Sequence, residues 1–254
     1  MSTTDELPVP GELPLWEVPG WRERFGVVAG ITGRGRGEEP FDLGLWGRAQ
    51  VGAVMGRWRQ FLSHFADFPG ALLAHQVHGG RVLCHESAPA GWTLFEGADG
   101  HVTSQPGRLL LVTVADCVPV YLVAPRQRAV ALLHAGWRGT AAGILANGVA
   151  LLGARTGARP EEIVGHAGVA ISGPCYEVGA EVMTGVGEQA LGPGPWHLDL
   201  RSVLKSQAET IGIREFTLST HCTSRERADF FSHRGSGGAD GRMVAYLGLP
   251  ETRD

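Results

Sequence analysis

Four apolar segments with a β-branched bias constrain this chain most: residues 25–31 (FGVVAGI), 109–114, 118–123 and 129–134. Each has the length and composition of a strand. None approaches the ~18 uncharged apolar residues of a membrane-spanning helix. The first runs into a glycine-arginine loop, Thr32-Gly33-Arg34-Gly35-Arg36-Gly37, and the second and third are separated only by Ala115-Asp116-Cys117. Shorter strands are expected over 71–78 and 81–85 around Gly79-Gly80, and over 163–171, 216–219 and 243–247. Helical spacing predicts a helix over 48–65, with Val51, Val54, Met55, Trp58, Phe61 and Leu62 on one face. A second is expected over 139–153, a third over 177–190, and a fourth over 199–211, where Asp199 supplies an N-cap. Pro160-Glu161-Glu162 marks a turn or helix start. Strands and helices mix without strict βαβ alternation, which gives a mixed α/β or α+β fold.

The 254 residues, 43% hydrophobic, suffice for one sizeable core, and neither a linker nor a repeat divides them. A net charge of −4 supplies no global basic field, so neither nucleic acid nor an acidic membrane is expected as a partner. Arginine greatly outnumbers lysine, Lys205 being the one lysine, so a local basic pocket remains open. Residues 1–20 are acidic and proline-bearing and read as a loosely ordered N-terminal arm. They lack the basic start and apolar run of an export signal, and the expectation is a cytoplasmic protein, a monomer or small homo-oligomer. The four cysteines carry no CxxC spacing, so free thiols are expected rather than disulfides or a structural zinc ribbon.

Three segments place metal-competent side chains at the ends of apolar strands: His75-Gln76-Val77-His78-Gly79, Ala115-Asp116-Cys117 and His134-Ala135-Gly136-Trp137-Arg138-Gly139. Two imidazoles and a thiolate, from His78, Cys117 and His134, suit a catalytic zinc with a fourth position left open, although copper accepts the same set. With ten histidines and four cysteines, other triples can be drawn, and core histidines with a buried thiol are the plain alternative. His75, in a strand, would point away from His78 and serve as support or structure. Asp99 and Asp116 are the carboxylates placed to orient a ligand imidazole. Gln76 is a contact for a base or ribose, or a partner for backbone groups. Arg138, at an expected helix start, is a phosphate contact or a surface ion pair. Cys84, Cys175 and Cys222 read as packing.

The segments QVHGGRV, ADG, TVADCVPV, LLHAGWRGTAAGIL, ISGPCYEVG and FFSHR, in that order, resemble the YfiH-like proteins, also called the laccase-domain or polyphenol oxidase family. The resemblance spans about 25–247. It implies a layered α/β/β/α sandwich, with 21–254 as one catalytic domain, and a zinc ion on His78, Cys117 and His134. It also implies phosphorolysis of adenosine, inosine, guanosine and methylthioadenosine, with deamination of adenosine by activated water. By the same resemblance Arg34 and Arg57 contact phosphate or ribose. The sequence departs from the family pattern at Gly33, Gly44, Gly56 and Gly235, around an expected substrate rim. Three alternatives stay beside this reading: a copper phenol oxidase, a thiol hydrolase or deamidase with Cys117 as nucleophile and His134 as base, and a nucleoside-binding protein without turnover.

Overall fold

Strands whose every residue is apolar need cover on both faces, and the chain supplies it with two sheets and three helices. The computed structural model describes residues 2–37, 39–87 and 89–251. The chain opens with β1 (Leu7–Pro8), β2 (Leu15–Glu17), α1 (Trp21–Phe25) and β3 (Val28–Thr32). After a long loop come α2 (Val51–His64), β4 (Gly70–His75), β5 (Val82–Cys84), β6 (Gly91–Glu96) and β7 (Gly100–Thr103). The apolar centre is β8 (Arg108–Val114), β9 (Val118–Ala124) and β10 (Ala129–Ala135), followed by α3 (Trp137–Ala141) and α4 (Ile144–Thr156). The last part holds β11 (Val164–Ala167), β12 (Glu177–Val178), α5 (Ala180–Gly185), β13 (Trp196–His197), α6 (Leu200–Ile211), β14 (Glu215–Leu218) and β15 (Met243–Leu249).

One large sheet has seven strands in the order β1-β2-β3-β15-β8-β4-β6, a second has six in the order β14-β11-β9-β10-β7-β5, and β12 and β13 form a small pair of their own. Strand alternation sends successive side chains to opposite faces. Leu110 and Val112 of β8 meet Tyr121 and Val123 of β9 and Val130 and Leu132 of β10 between the sheets. Leu109 and Leu111 turn outward beneath Val54, Trp58 and Phe61 of α2. Val120, Leu122, Ala131 and Leu133 turn outward beneath Leu145 and Val149 of α4 and Leu204 of α6. The result is the expected α/β/β/α sandwich, a mixed α+β single domain. No helix among the described residues is long and apolar enough to cross a membrane.

Several local expectations change. The arm expected to be loose instead bridges both sheets. The Thr4 N–H donates to the Leu218 carbonyl beside β14, while β2 pairs with β3. Glu6 is fully buried, its carboxylate accepting from the Val169 N–H at 3.0 Å and lying 3.2 Å from His166 Nε2. These partners are distant in sequence, so composition alone does not disclose them. The helix expected over 139–153 breaks into α3 and α4 because Gly143 adopts φ +73°, outside the helical region. The helix expected over 177–190 reduces to α5 behind the short strand β12.

Candidate active site

The chain crosses from one sheet to the other between β8 and β9, and the site forms there. Asp116 turns the corner at φ +84°, which sets Cys117 at the start of β9. His78 follows β4 in a loop at φ +58°, and His134 sits near the end of β10, the strand beside β9. Non-glycine residues in left-handed backbone are uncommon, and of the three among the described residues two, His78 and Asp116, position site groups. Ligand atoms of His78, Cys117 and His134 lie within 4.8 Å of one another, and no other such group of three occurs among the described residues. The two imidazoles meet edge to face with centroids 4.9 Å apart. Gly136 keeps the space beside them open: a Cβ there would stand 3.0 Å from Cys117 Sγ and 3.4 Å from His78 Cδ2.

Asp99 is the organising carboxylate. It is fully buried and accepts from the N–H groups of Val77 (3.2 Å), His78 (2.9 Å) and Gly79 (2.8 Å), so it shapes the loop that carries His78. Its Oδ1 also lies 2.9 Å from His134 Nδ1, which leaves Nε2 to face Cys117. Burial would push the Asp99 carboxyl up, but His134 and these N–H groups hold it below its ordinary value. Burial likewise pushes the Cys117 thiol up, and the His134 and His78 imidazoles more than offset this, bringing it to about 6. His134 moves the other way, to about 9: burial opposes its charge, and Cys117 and Asp99 outweigh burial. Loss of the His134 proton on metal binding leaves a thiolate between two imidazoles, one fixed by a carboxylate, and that donor set fits zinc.

Asp116 does not orient a ligand ring. Its carboxylate accepts from Thr223 Oγ1 (2.6 Å), Ser232 Oγ (2.7 Å) and the Arg234 N–H (2.6 Å), tying the turn to Thr223 and to the segment 230–235. Gln76 serves backbone. Its Nε2 donates to the Thr113 carbonyl at 2.9 Å, and its Oε1 accepts from the Thr113 N–H and hydroxyl at 2.7 and 2.8 Å. Both amide ends are thereby committed, although the side chain still lines the cleft. His75 is no ligand. It lies 4.7 Å from the Trp46 ring and 3.3 Å from Glu96 Oε2.

Two clefts adjoin at His78 and Cys117, and His134 lines the first of them. The first, of about 340 Å³, is lined by Trp46, His75, Gln76, Thr113 and Arg242. The other, of about 280 Å³, is lined by Trp137, Arg138, Tyr176, Leu200 and Arg234. His78, Ala115, Cys117 and His233 border both. Arg138 is therefore at the site, lying over the Trp137 ring at 4.4 Å.

Arg57 is not at the site. Its Nε donates to the Asp42 carbonyl at 2.8 Å and supports the loop that carries Trp46, because α2 turns the side chain toward that loop. Arg34 lines a neighbouring cavity of about 600 Å³ and is occupied by Asp240 at 2.7 Å and by the Phe231 ring. Of the departing glycines, Gly44 lines that same cavity. Gly33 packs against Trp16 and Asp229, Gly235 donates to Ser232 Oγ, and Gly56 faces open space on α2. Trp46 and Arg242 went unread in the sequence, and His233 and Arg234 stood out only as part of FFSHR, with no role attached. FFSHR was visible as a segment, but nothing local says that it folds back to Asp116.

Residues 36–250 match the family described as multi-copper polyphenol oxidoreductase laccase. The chain belongs to that family. It is 35% identical to purine nucleoside phosphorylase YlmD of Geobacillus stearothermophilus, over 89% of this chain and 91% of that one. It is 37% identical to a purine nucleoside phosphorylase of Deinococcus radiodurans, over 89% and 84%. The crystal structure of the Geobacillus YlmD superposes with a TM-score of 0.89 at 31% identity, covering 97% of this chain and all of that one. The Bacillus licheniformis YfiH structure gives 0.85 at 29% identity, over 94% and 97%.

Proposed function

We propose that this family member is a zinc-dependent purine nucleoside phosphorylase, acting on adenosine, inosine, guanosine and methylthioadenosine, with adenosine deaminase activity at the same site. The observation that carries the reading is the convergence of His78, Cys117 and His134 at the junction of two clefts. The names of the relatives support it. A family description that speaks of several coppers calls for more ligands than one group of three, and the soft thiolate with two imidazoles suits zinc.

In phosphorolysis a phosphate oxygen bonds to ribose C1′ while the C1′–N9 bond breaks. The bond pair stays on the purine, which takes up a proton, and the products are free base and ribose 1-phosphate. Negative charge grows on the base and positive charge on the ribose, so fixed dipoles and cations lower the barrier. A zinc ion held by the three ligands supplies Lewis-acid chemistry and activates oxygen nucleophiles. Asp99 keeps His134 in the tautomer that presents Nε2. Trp46, 52% exposed at the cleft mouth, and His75 beside it offer the purine two aromatic faces. The partners are small molecules, nucleoside and phosphate, and the setting is the cytoplasm.

The test is metal analysis of purified protein together with a nucleoside panel, with and without phosphate, before and after chelation. Chelation or His78→Ala should abolish phosphate-dependent release of hypoxanthine from inosine, and zinc should restore it to the chelated wild-type protein. Release untouched by both treatments would refute the zinc reading. Copper content with oxygen uptake on a phenol would favour an oxidase. Activity of metal-free protein that iodoacetamide destroys would favour a thiol hydrolase. Nucleoside binding without any product would leave a binding protein.

A further inference from the structure

The second cleft holds two guanidiniums that pair with no carboxylate among the described residues. Arg138 lies over Trp137 at 4.4 Å and Arg234 over Tyr176 at 5.1 Å, and both side chains line the cavity that also reaches His78 and Cys117. Neither forms an ion pair among the described residues. Arg234 donates once, to the Glu177 carbonyl at 2.8 Å, which fixes its direction while leaving its other N–H groups unassigned. Asp116 borders the same cleft, but its carboxylate is already spent on Thr223, Ser232 and the Arg234 backbone. The phenol of Tyr176 is within electrostatic reach of both guanidiniums and of Cys117. Aromatic stacking holds a planar guanidinium in a fixed plane, and its fork of donors matches the oxygens of a phosphate.

We propose that Arg138 and Arg234 form a two-guanidinium clamp for inorganic phosphate in the cleft that adjoins the Trp46–His75 cleft at His78 and Cys117. Nucleoside and phosphate then reach the triad from two adjoining clefts. This arrangement suits an in-line displacement at C1′, in which the attacking oxygen approaches the face opposite the departing base. The inference rests on the phosphorylase reading above and adds to it the place of the second substrate. It also corrects the physical basis of the phosphate expectation. The five-residue α3 contributes no extended helix dipole, and the two side-chain cations supply the charge.

The experiment measures initial rates of the zinc-loaded enzyme with inosine saturating and phosphate varied, for wild type, Arg138→Ala, Arg234→Ala and the two Lys variants. Each Ala variant should raise the KM for phosphate about tenfold or more, as expected for loss of a charge-assisted hydrogen bond. The KM for inosine should stay near its wild-type value. Lys should recover only part of the loss, since a point charge lacks the fork. Separately, phosphate alone should raise the thermal midpoint of the wild-type protein, and Arg234→Ala should remove that rise while zinc content and circular dichroism stay unchanged. An unchanged KM for phosphate in both Ala variants, or a rise in the inosine KM instead, overturns the clamp. If wild type releases no base in response to phosphate, the phosphorylase reading fails, and the thermal shift still judges the clamp. A shift lost in the variants upholds it, and no shift in wild type overturns it.

Discussion

Asp99 shows how much of this site rests on one side chain. It accepts three backbone N–H groups from the His78 loop and faces Nδ1 of His134, so one carboxylate sets the position of one ligand and the tautomer of another. Asp99→Asn preserves the shape but puts an amide donor where only acceptors fit. Zinc affinity should fall about 10- to 100-fold, the usual cost of losing the partner of a ligating histidine. Competition against a chromophoric chelator measures it, and an affinity equal to wild type would show that Asp99 does not set the ligand geometry. The three candidate ligands, His78, Cys117 and His134, each stand in a distinctive local segment, and the fold brings those segments together. The choice between Asp99 and Asp116 was not legible, since both adjoin ligand segments and only the fold shows which one faces His134. Arg57 misled for the related reason that a residue's place on a helix does not say which neighbour the helix turns it toward.

At the scale of elements, apolar strands announced themselves because both faces are covered, as in β8, β9 and β10. Strand β6 did not, because its half-exposed residues show no continuous apolar run. Its Phe95 nevertheless closes over a buried pair in which His85 Nε2 lies 2.9 Å from His101 Nδ1, at the edge where β5 and β7 meet β6. Burial lowers His85 from its ordinary 6.5 to about 4. Burial, and then His85, lower His101 to about 3. His101 Nε2 is buried with no hydrogen-bond partner among the described residues, so a proton there is poorly accommodated. Between these values and 6.5 the unfolded chain binds more protons than the folded one. Stability is therefore complete above about pH 6.5 and is lost as pH falls toward 4. From His85 alone the loss between pH 7 and 5 is about 2 kcal/mol. Urea unfolding at both pH values should show wild type losing more stability than the His85→Phe/His101→Leu double variant, and equal losses would refute the assignment.

Across the whole molecule, pattern showed a mixed α/β or α+β fold and the family resemblance implied its four layers, but what joins the two sheets at their far edges was not legible. The N-terminal arm does this. Thr4 bonds to β14 of the six-stranded sheet, and a few residues later β1 and β2 extend the seven-stranded sheet. Between them Glu6 and His166 are both fully buried, with Trp21 and Tyr121 against the imidazole. Burial would push the Glu6 carboxyl up, and His166 outweighs it, so the group stays below its ordinary value and is charged at neutral pH. Cutting away a buried acceptor leaves the groups it served unsatisfied, at about 2–6 kcal/mol for two of them. Glu6→Ala should lower stability by about that amount, since His166 and the Val169 N–H lose their acceptor together. Glu6→Gln, which keeps an oxygen for the Val169 N–H, should cost less. If the arm welds the sheets into one unit, both variants unfold in urea in a single transition with a lower midpoint, and zinc affinity in the folded protein stays at the wild-type value. Two separated transitions in Glu6→Ala would show the sheets holding together without the arm, and an unchanged midpoint would show that the buried pair contributes nothing to the join.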